Sequence, residues 1–187
     1  MRIEGAAVSL RDWESGDAAR LTDLLVPERP WHETNGPYFG RPTAQDLAGL
    51  RRRLLELAES PALPEPRTSL GVVRRSDDLL VGTVTWYWES EETDWRRLGI
   101  VLWDESVWGQ GLGREALTLW TDYLFAATDA LRLDLATYSG NPGMVALAKR
   151  AGFVEEARMR RARRWAGGVH DAVVLGVLRE EWEAGRR

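Results

Sequence analysis

Three glycines within five residues, Gly109, Gly111 and Gly113, stand between a run that reads as a β-strand, Arg97–Trp103, and one that reads as an α-helix. The helix is marked by Ala116, Leu117, Trp120, Leu124 and Ala127, which recur on one face. A strand entering a helix through glycines turns backbone N–H groups outward at the helix N-terminus, where the dipole favours an anion. Glycine also lets a phosphate approach the backbone closely. The stretch Trp108-Gly109-Gln110-Gly111-Leu112-Gly113-Arg114 is therefore expected to hold a diphosphate or a similar group. Two nucleotide loops are excluded by spacing. A Walker loop ends in Gly-Lys-Ser/Thr, whereas Arg114-Glu115 follows here. A dinucleotide fingerprint needs a glycine at position 114 and a preceding βαβ unit.

The elements around the loop do not supply that unit. Ser69–Arg74, Leu79–Trp88 and Arg97–Trp103 are strand-like runs joined by Ser76-Asp77-Asp78 and by the acidic turn Glu89–Asp94, and they form an antiparallel meander. Upstream come a short strand at Val8–Leu10 and a helix with Leu21, Leu24 and Leu25. A proline-rich loop over Val26–Pro42 follows, then a second helix with Leu47, Leu50, Leu54 and Leu57 behind a capping box at Thr43–Asp46. Downstream, Leu131–Thr137 is a strand. Asn141-Pro142 opens a helix that Gly152 stops, with Phe153 packed behind it. Two last strands, about Arg158–Trp165 and His170–Leu178, flank the hairpin signal Ala166-Gly167-Gly168. The order β-α-α-β-β-β-α-β-α-β-β defines an α+β chain, read as one domain over residues 1–187.

Composition removes further classes. The chain has no cysteine, which excludes disulfides, thiol nucleophiles and cysteine metal ligands. His32 and His170 are its two histidines, too few for a multi-histidine centre, so no metal is expected. A formal net charge of −4 disfavours nucleic acid as the main partner. The N-terminal residues lack a signal-peptide core and no run of about 18 apolar residues occurs, so the expected compartment is the cytoplasm, with no membrane span. Among the basic residues only Lys149 is lysine; compositional bias accounts for the arginine excess. Ten tryptophans are unusual. Trp120 belongs to a helix face and to the core, Trp86 and Trp88 share one strand face, and Trp31 and Trp103 border the presumed cleft.

The stretch from Gly99 through Trp108-Gly109-Gln110-Gly111-Leu112-Gly113-Arg114 to Leu117 closely resembles the acetyl-CoA-binding motif of the GNAT acetyltransferases. It is closest to the branch that includes the ribosomal-protein N-terminal acetyltransferases, where a tryptophan commonly stands at the position of Trp108. Asn141 followed by Lys149-Arg150-Ala151-Gly152-Phe153, and Gly168–Asp171 running to Leu178-Arg179-Glu180-Glu181-Trp182, are similar to two further motifs of that branch. The resemblance implies the GNAT acyl-CoA acyltransferase fold, a mixed and mostly antiparallel central sheet flanked by helices. It also implies transfer of an acetyl group from acetyl-CoA to a primary amine, on a protein N-terminus or a small molecule, by direct attack. The backbone of Gly109–Gly113 would cradle the diphosphate, with Trp108 and Arg114 beside it. Val101, Leu102 and Trp103 would pair with the peptide-like pantetheine arm and supply an N–H to the oxyanion. Asn141 and Lys149 would complete the cofactor contacts.

The proton carriers are less determined. Glu33 in the long loop, the acidic turn Glu89–Asp94, and Asp104 or Glu105 are candidates for deprotonating the amine through water. Many family members protonate the leaving thiolate with a tyrosine seven residues after the asparagine, and ribosomal-type members can use a serine three residues after it. Here those positions are Ala148 and Met144. Tyr138 or Ser139 could substitute, or the thiolate could leave unaided, since a thiol pKa is about 8.5. That departure motivates an alternative, a non-catalytic acyl-CoA-binding module on the same fold. The run Arg158, Arg160, Arg161, Arg163 and Arg164 reads as an exposed edge strand protected by charge rather than a nucleic-acid patch. A homodimer stays open.

Overall fold

Punctuation by glycine, proline and capping residues sets the element boundaries in a computed structural model that describes residues 1–185. Arg186 and Arg187, included in the expected domain, lie outside the described residues. In chain order the elements are β1 (Arg2–Glu4), β2 (Val8–Arg11), α1 (Ala18–Leu24), α2 (Ala44–Glu59), β3 (Ser69–Arg74), β4 (Leu79–Ser90) and β5 (Trp95–Leu102). Then follow α3 (Leu112–Ala127), β6 (Arg132–Tyr138), α4 (Pro142–Ala151), β7 (Val154–Trp165), β8 (Gly168–Leu178) and α5 (Arg179–Ala184). Thr43 accepts from the Asp46 N–H and closes the expected capping box of α2. Asn141 accepts from the Met144 N–H at the start of α4, and Gly152 ends that helix with φ 104°. The sequence reading did not include β1, which is three residues long, or α5, whose charged stretch hides a single buried anchor, Trp182. The long loop over 26–42 contains two 3-10 turns, Pro30–Glu33 and Pro37–Phe39.

Among the described residues the strands form one sheet in the order β1-β2-β3-β4-β5-β6-β8-β7. Every neighbouring pair is antiparallel except β5 and β6. The arginine-rich β7 is an edge, as its charge implied. β5 runs with β4 over almost its full length but with β6 only from Arg96↔Leu133 to Leu98↔Leu135. Beyond Leu98 the two strands part, and the sheet opens into a wedge.

A buried carboxylate sits at the vertex of that wedge. Asp134 is fully buried and receives two hydrogen bonds from the Arg97 guanidinium, at 2.8 and 3.1 Å, and one from Trp95 Nε1 at 2.8 Å. Arg97 is itself mostly buried and also pairs with Glu89 at 2.8 Å. These bonds satisfy a charge that would otherwise be costly in the interior.

Side-chain alternation divides the hydrophobic residues between the two faces of the sheet. On one face Leu117, Trp120 and Leu124 of α3, Ala148 of α4 and Trp182 of α5 pack on Leu10, Val72, Leu98 and Leu133. On the other, Leu21 and Leu24 of α1 and Leu47 and Leu54 of α2 pack with Trp13, Trp31, Val73 and Trp103. Along β5 and its exit, Leu98, Ile100 and Leu102 face the first cluster and Val101 and Trp103 the second. Trp120 is core as expected, its Nε1 donating to the Thr85 carbonyl at 2.9 Å.

Replacing Asp134 by Ala leaves the Arg97 charge buried with Glu89 as its remaining partner, a loss of about 3 kcal/mol. Glu89→Ala, which removes a partly exposed partner, should cost less than about 1 kcal/mol. Urea unfolding of both variants measures the difference.

Candidate functional site

The wedge between β5 and β6 is a cleft of about 910 Å³. One wall is Leu98–Leu102, the other Leu135–Thr137, and the floor at one end is the glycine loop Gly109–Arg114 with Val107 and Trp108. The start of α4 contributes Gly140–Met144, Leu147 and Arg150, and the long loop contributes Thr34 and Asn35.

Local conformation explains the loop. Gly109 and Gly111 have φ of 76° and 86°, a left-handed backbone that side chains rarely adopt. Gly111 is the N-cap of α3, so the N–H groups of Leu112 and Gly113 at the start of a long helix have no intrahelical acceptor, whereas those of Arg114 and Glu115 already bond the Gly111 carbonyl. Gly113 is glycine for a different reason. A Cβ there would lie 2.8 Å from Leu147 Cδ1, so it lets α3 and α4 approach each other. Trp108 Nε1 donates to the Leu102 carbonyl at 3.0 Å and Gln110 Nε2 to the Ser106 carbonyl at 2.8 Å, which fastens the loop to the end of β5.

The backbone of β5 presents alternate residues to the cleft. The Trp103 N–H bonds the Val81 carbonyl on the β4 side, whereas the Leu102 carbonyl points the other way, to Trp108. By the same alternation Ile100 faces the wedge, where β6 no longer pairs with it. Of the strand residues expected to meet a pantetheine arm, Leu102 thus presents its backbone to the cleft. Val101 lines the cleft but directs its peptide groups to β4. Trp103 is outside the lining, with its indole buried 6.2 Å from that of Trp13. Ile100 was missed. Trp31 also lies in that second cluster rather than at the cleft.

Trp108, Gly109, Gln110, Gly111, Leu112, Gly113, Arg114 and Asn141 all line the cleft. Lys149 does not. Its Nζ pairs with Glu155 at 2.9 Å, and the neighbouring Arg150 takes the place in the lining. Helical spacing carries that distinction: Gly143, Leu147 and Arg150 recur at i, i+4 and i+7, a stripe that leaves Lys149 about 100° away.

The expected proton carriers are drawn together but away from the lining. The Tyr138 hydroxyl donates to the Glu33 carbonyl at 3.0 Å, and burial, with Tyr38 and Glu33 nearby, raises its pKa. Ser139 Oγ accepts from the Asp171 N–H at 3.0 Å and so fastens β6 to β8. The Glu33 carboxylate is paired with Arg41. Asn141 Nδ2 donates to the Thr34 carbonyl at 3.1 Å, so Tyr138 and Asn141 together pin the loop over the cleft. Most of the other candidate carboxylates are engaged too: Glu89 with Arg97, Asp94 with Arg96, Asp104 with Arg20 and Ser106, and Glu105 with Arg29, while Glu92 accepts only from the nearby Ser90 hydroxyl. No carboxylate lines the cleft among the described residues; its ionisable side chains are Arg114 and Arg150. His32 is buried within the turn Pro30–Glu33, its Nε2 2.9 Å from the Val26 carbonyl. Among the described residues no group of acidic or histidine side chains is placed to hold a metal ion, and no helix is long and apolar enough to cross a membrane.

A family model for the acetyltransferase (GNAT) domain matches residues 8–154. A probable N-acetyltransferase of Bacillus subtilis (strain 168), YjcK, is 27% identical over 187 residues, spanning 97% of this chain and 99% of the relative. The structure of RimL, a ribosomal L7/L12 alpha-N-protein acetyltransferase in complex with coenzyme A, superposes with a TM-score of 0.70 at 17% identity, covering 95% of this chain and 98% of that one. A spermidine N-acetyltransferase SpeG chimera from Vibrio cholerae and hSSAT also gives 0.70, at 18% identity, over 95% of this chain and 99% of that one.

The pairing that removes Lys149 from the cleft has a measurable signature. Hydrogen bonds from Arg158 and Lys149 lower the Glu155 pKa from 4.5 to about 2. The unfolded chain takes up this proton first as pH falls. The stabilisation is complete above about pH 4.5 and lost toward pH 2. Urea titrations across that interval should show a smaller decline for Glu155→Gln than for the wild type.

Proposed function

Because the chain belongs to the acetyltransferase (GNAT) domain family, we propose that it transfers acetyl from acetyl-CoA to a primary amine by direct attack, in the cleft where β5 and β6 part. The protein is an acetyl-CoA-dependent acetyltransferase, and the enzymatic reading therefore stands over the non-catalytic one. The observation that carries the placement is the wedge itself, an unpaired strand edge that leads directly into a glycine loop at a helix N-terminus.

The first-turn N–H groups of α3 and the loop Gly109–Gly113 receive the diphosphate, and Arg114 and Arg150 supply positive charge beside it. The peptide-like pantetheine arm pairs with the backbone of Ile100 and Leu102. An N–H of the same strand edge donates to the thioester oxygen as it becomes an oxyanion. The amine nitrogen attacks the carbonyl carbon, the C–S bond breaks, and the nitrogen's surplus proton passes to the departing sulfur, directly or through water. Tyr138 is poorly suited to deliver that proton. Burial raises its pKa further from that of a thiol, and its hydroxyl is already donating to the Glu33 carbonyl. Tyr138, Ser139 and Glu33 act instead by holding the loop and the end of β6 in place. The whole described chain works as one domain, and its need for acetyl-CoA supports a cytoplasmic setting.

Free-thiol release from acetyl-CoA over a panel of peptides and small amines tests the reading; binding without release on any amine would return the non-catalytic alternative. Gly111→Asp places a carboxylate where the diphosphate sits and should weaken acetyl-CoA binding by at least about 100-fold in calorimetry, equivalent to about 3 kcal/mol. Gly111→Ala carries the same backbone cost without the charge and should lose much less. Arg150→Ala should raise the KM for acetyl-CoA by about threefold to tenfold, as loss of one phosphate-facing charge implies, and Lys149→Ala should not.

A further inference from the structure

Arginines of this protein are mostly neutralised. Among the described residues, those with no carboxylate in ion-pairing range fall in three places: Arg51 and Arg53 on α2, Arg114 and Arg150 in the cleft, and Arg160, Arg161, Arg163 and Arg164 together on β7. The contrast within β7 is sharp. Arg158 is held between Glu155 at 2.7 Å and Asp171 at 3.2 Å, and from Arg160 onward no carboxylate is within ion-pairing range of any arginine on the strand. Asp171 offsets part of this charge: its carboxylate accepts the Arg161 N–H, and that bond, with Arg158 and Arg160, lowers its pKa. The rest is a concentrated positive field at one end of a chain of net charge −4.

Edge protection does not explain where this row sits. β7 packs on the loop turn Pro37–Phe39, and the Arg163 guanidinium lies over the Tyr38 ring at 4.5 Å and near Phe39 at 5.5 Å. Tyr38 in turn meets Tyr138 edge-on at 5.2 Å, and Tyr138 follows directly on Thr137 of the cleft wall. Arg163 therefore flanks the end of the cleft that faces the loop, away from the diphosphate loop, while Arg164, next on the strand, turns to the other face of the same hairpin end. Arg163 Nε is buried without a hydrogen-bond partner. The other arginines with such an orphaned Nε (Arg11, Arg96 and Arg132) each have a carboxylate on another guanidinium nitrogen. Phe39 beside it is 81% exposed, an apolar seat next to a cationic one.

We propose that the acceptor of this acetyltransferase is an acidic peptide N-terminus, whose carboxylates are met by Arg160, Arg163 and Arg164 while its α-amine enters the cleft. The inference rests on the acetyl-transfer reading and adds the substrate class to it. Like-charge repulsion at the same row disfavours polyamines. Nucleic acid would meet arginines as well, but the row is confined to one hairpin of an otherwise acidic chain.

The test compares initial rates on peptides that share their first residue and continue with Asp and Glu, with Gln and Asn, or with Lys, and on spermidine. The expected kcat/KM for the acidic peptide exceeds that for the neutral one by about tenfold at low salt, and the ratio falls as salt rises. Arg160→Gln with Arg164→Gln should bring the ratio close to one. Arg51→Gln with Arg53→Gln, the same charge change on α2, should not alter it. Anisotropy of a labelled acidic peptide reads the same preference as binding without turnover. Equal rates on acidic and neutral peptides, a preference for spermidine, or salt-sensitive binding of a single-stranded RNA that competes with the acidic peptide would each overturn the inference and leave the acetyl-transfer reading intact. Failure of that reading looks different: no thiol is released with any amine.

Discussion

A single buried carboxylate governs the architecture. Asp134 joins Arg97 and Trp95 across the one parallel pair of the sheet, and it does so where that pair is shortest. Beyond that junction the two strands separate. The separation frees the peptide groups of Ile100 and the N–H of Leu102 from the ladder, the Leu102 carbonyl being taken by Trp108. A binding surface made of unpaired backbone thus depends on a polar bond several residues away, one that hydrophobic patterning alone would not have placed.

Around the wedge, the two hydrophobic clusters support different tasks. The cluster under α3 and α4 holds the glycine loop against β5, with Gly113 as the point of closest approach. The cluster under α1 and α2 gathers Trp13, Trp31 and Trp103 and anchors the start of the loop over 26–42. Trp31 Nε1 donates to the Leu24 carbonyl at 3.1 Å, so the loop leaves α1 from a fixed point. The tryptophan surplus is largely structural, and Trp108 is the indole that borders the cleft.

Much of this was legible in the residues. Glycine spacing located the loop that enters α3 at the floor of the cleft, Asn141 and Gly152 marked both ends of α4, and the arginine run identified an edge strand. What escaped was directional. Whether Val101 or Leu102 turns its peptide groups to the wedge is a matter of strand parity, which no composition reveals. Lys149 stood out as the one lysine, yet its position on the helix points it to Glu155, while Arg150 shares the stripe of Gly143 and Leu147. Tyr138, Ser139 and Glu33 were near the right place, but hydrogen bonds that join distant segments decide their roles, and those segments meet only in the folded chain.

The pinning of the loop has a thermodynamic consequence. Two consecutive carbonyls, of Glu33 and Thr34, are held by Tyr138 at the end of β6 and by Asn141 at the start of α4. Asn141 also caps the helix that brings Arg150 to the cleft. Any ligand that orders this helix start therefore also orders the loop at the opposite end of the cleft. Linkage requires the converse in equal measure. The two substrates of the enzyme would then report on each other's presence through one asparagine side chain, without touching.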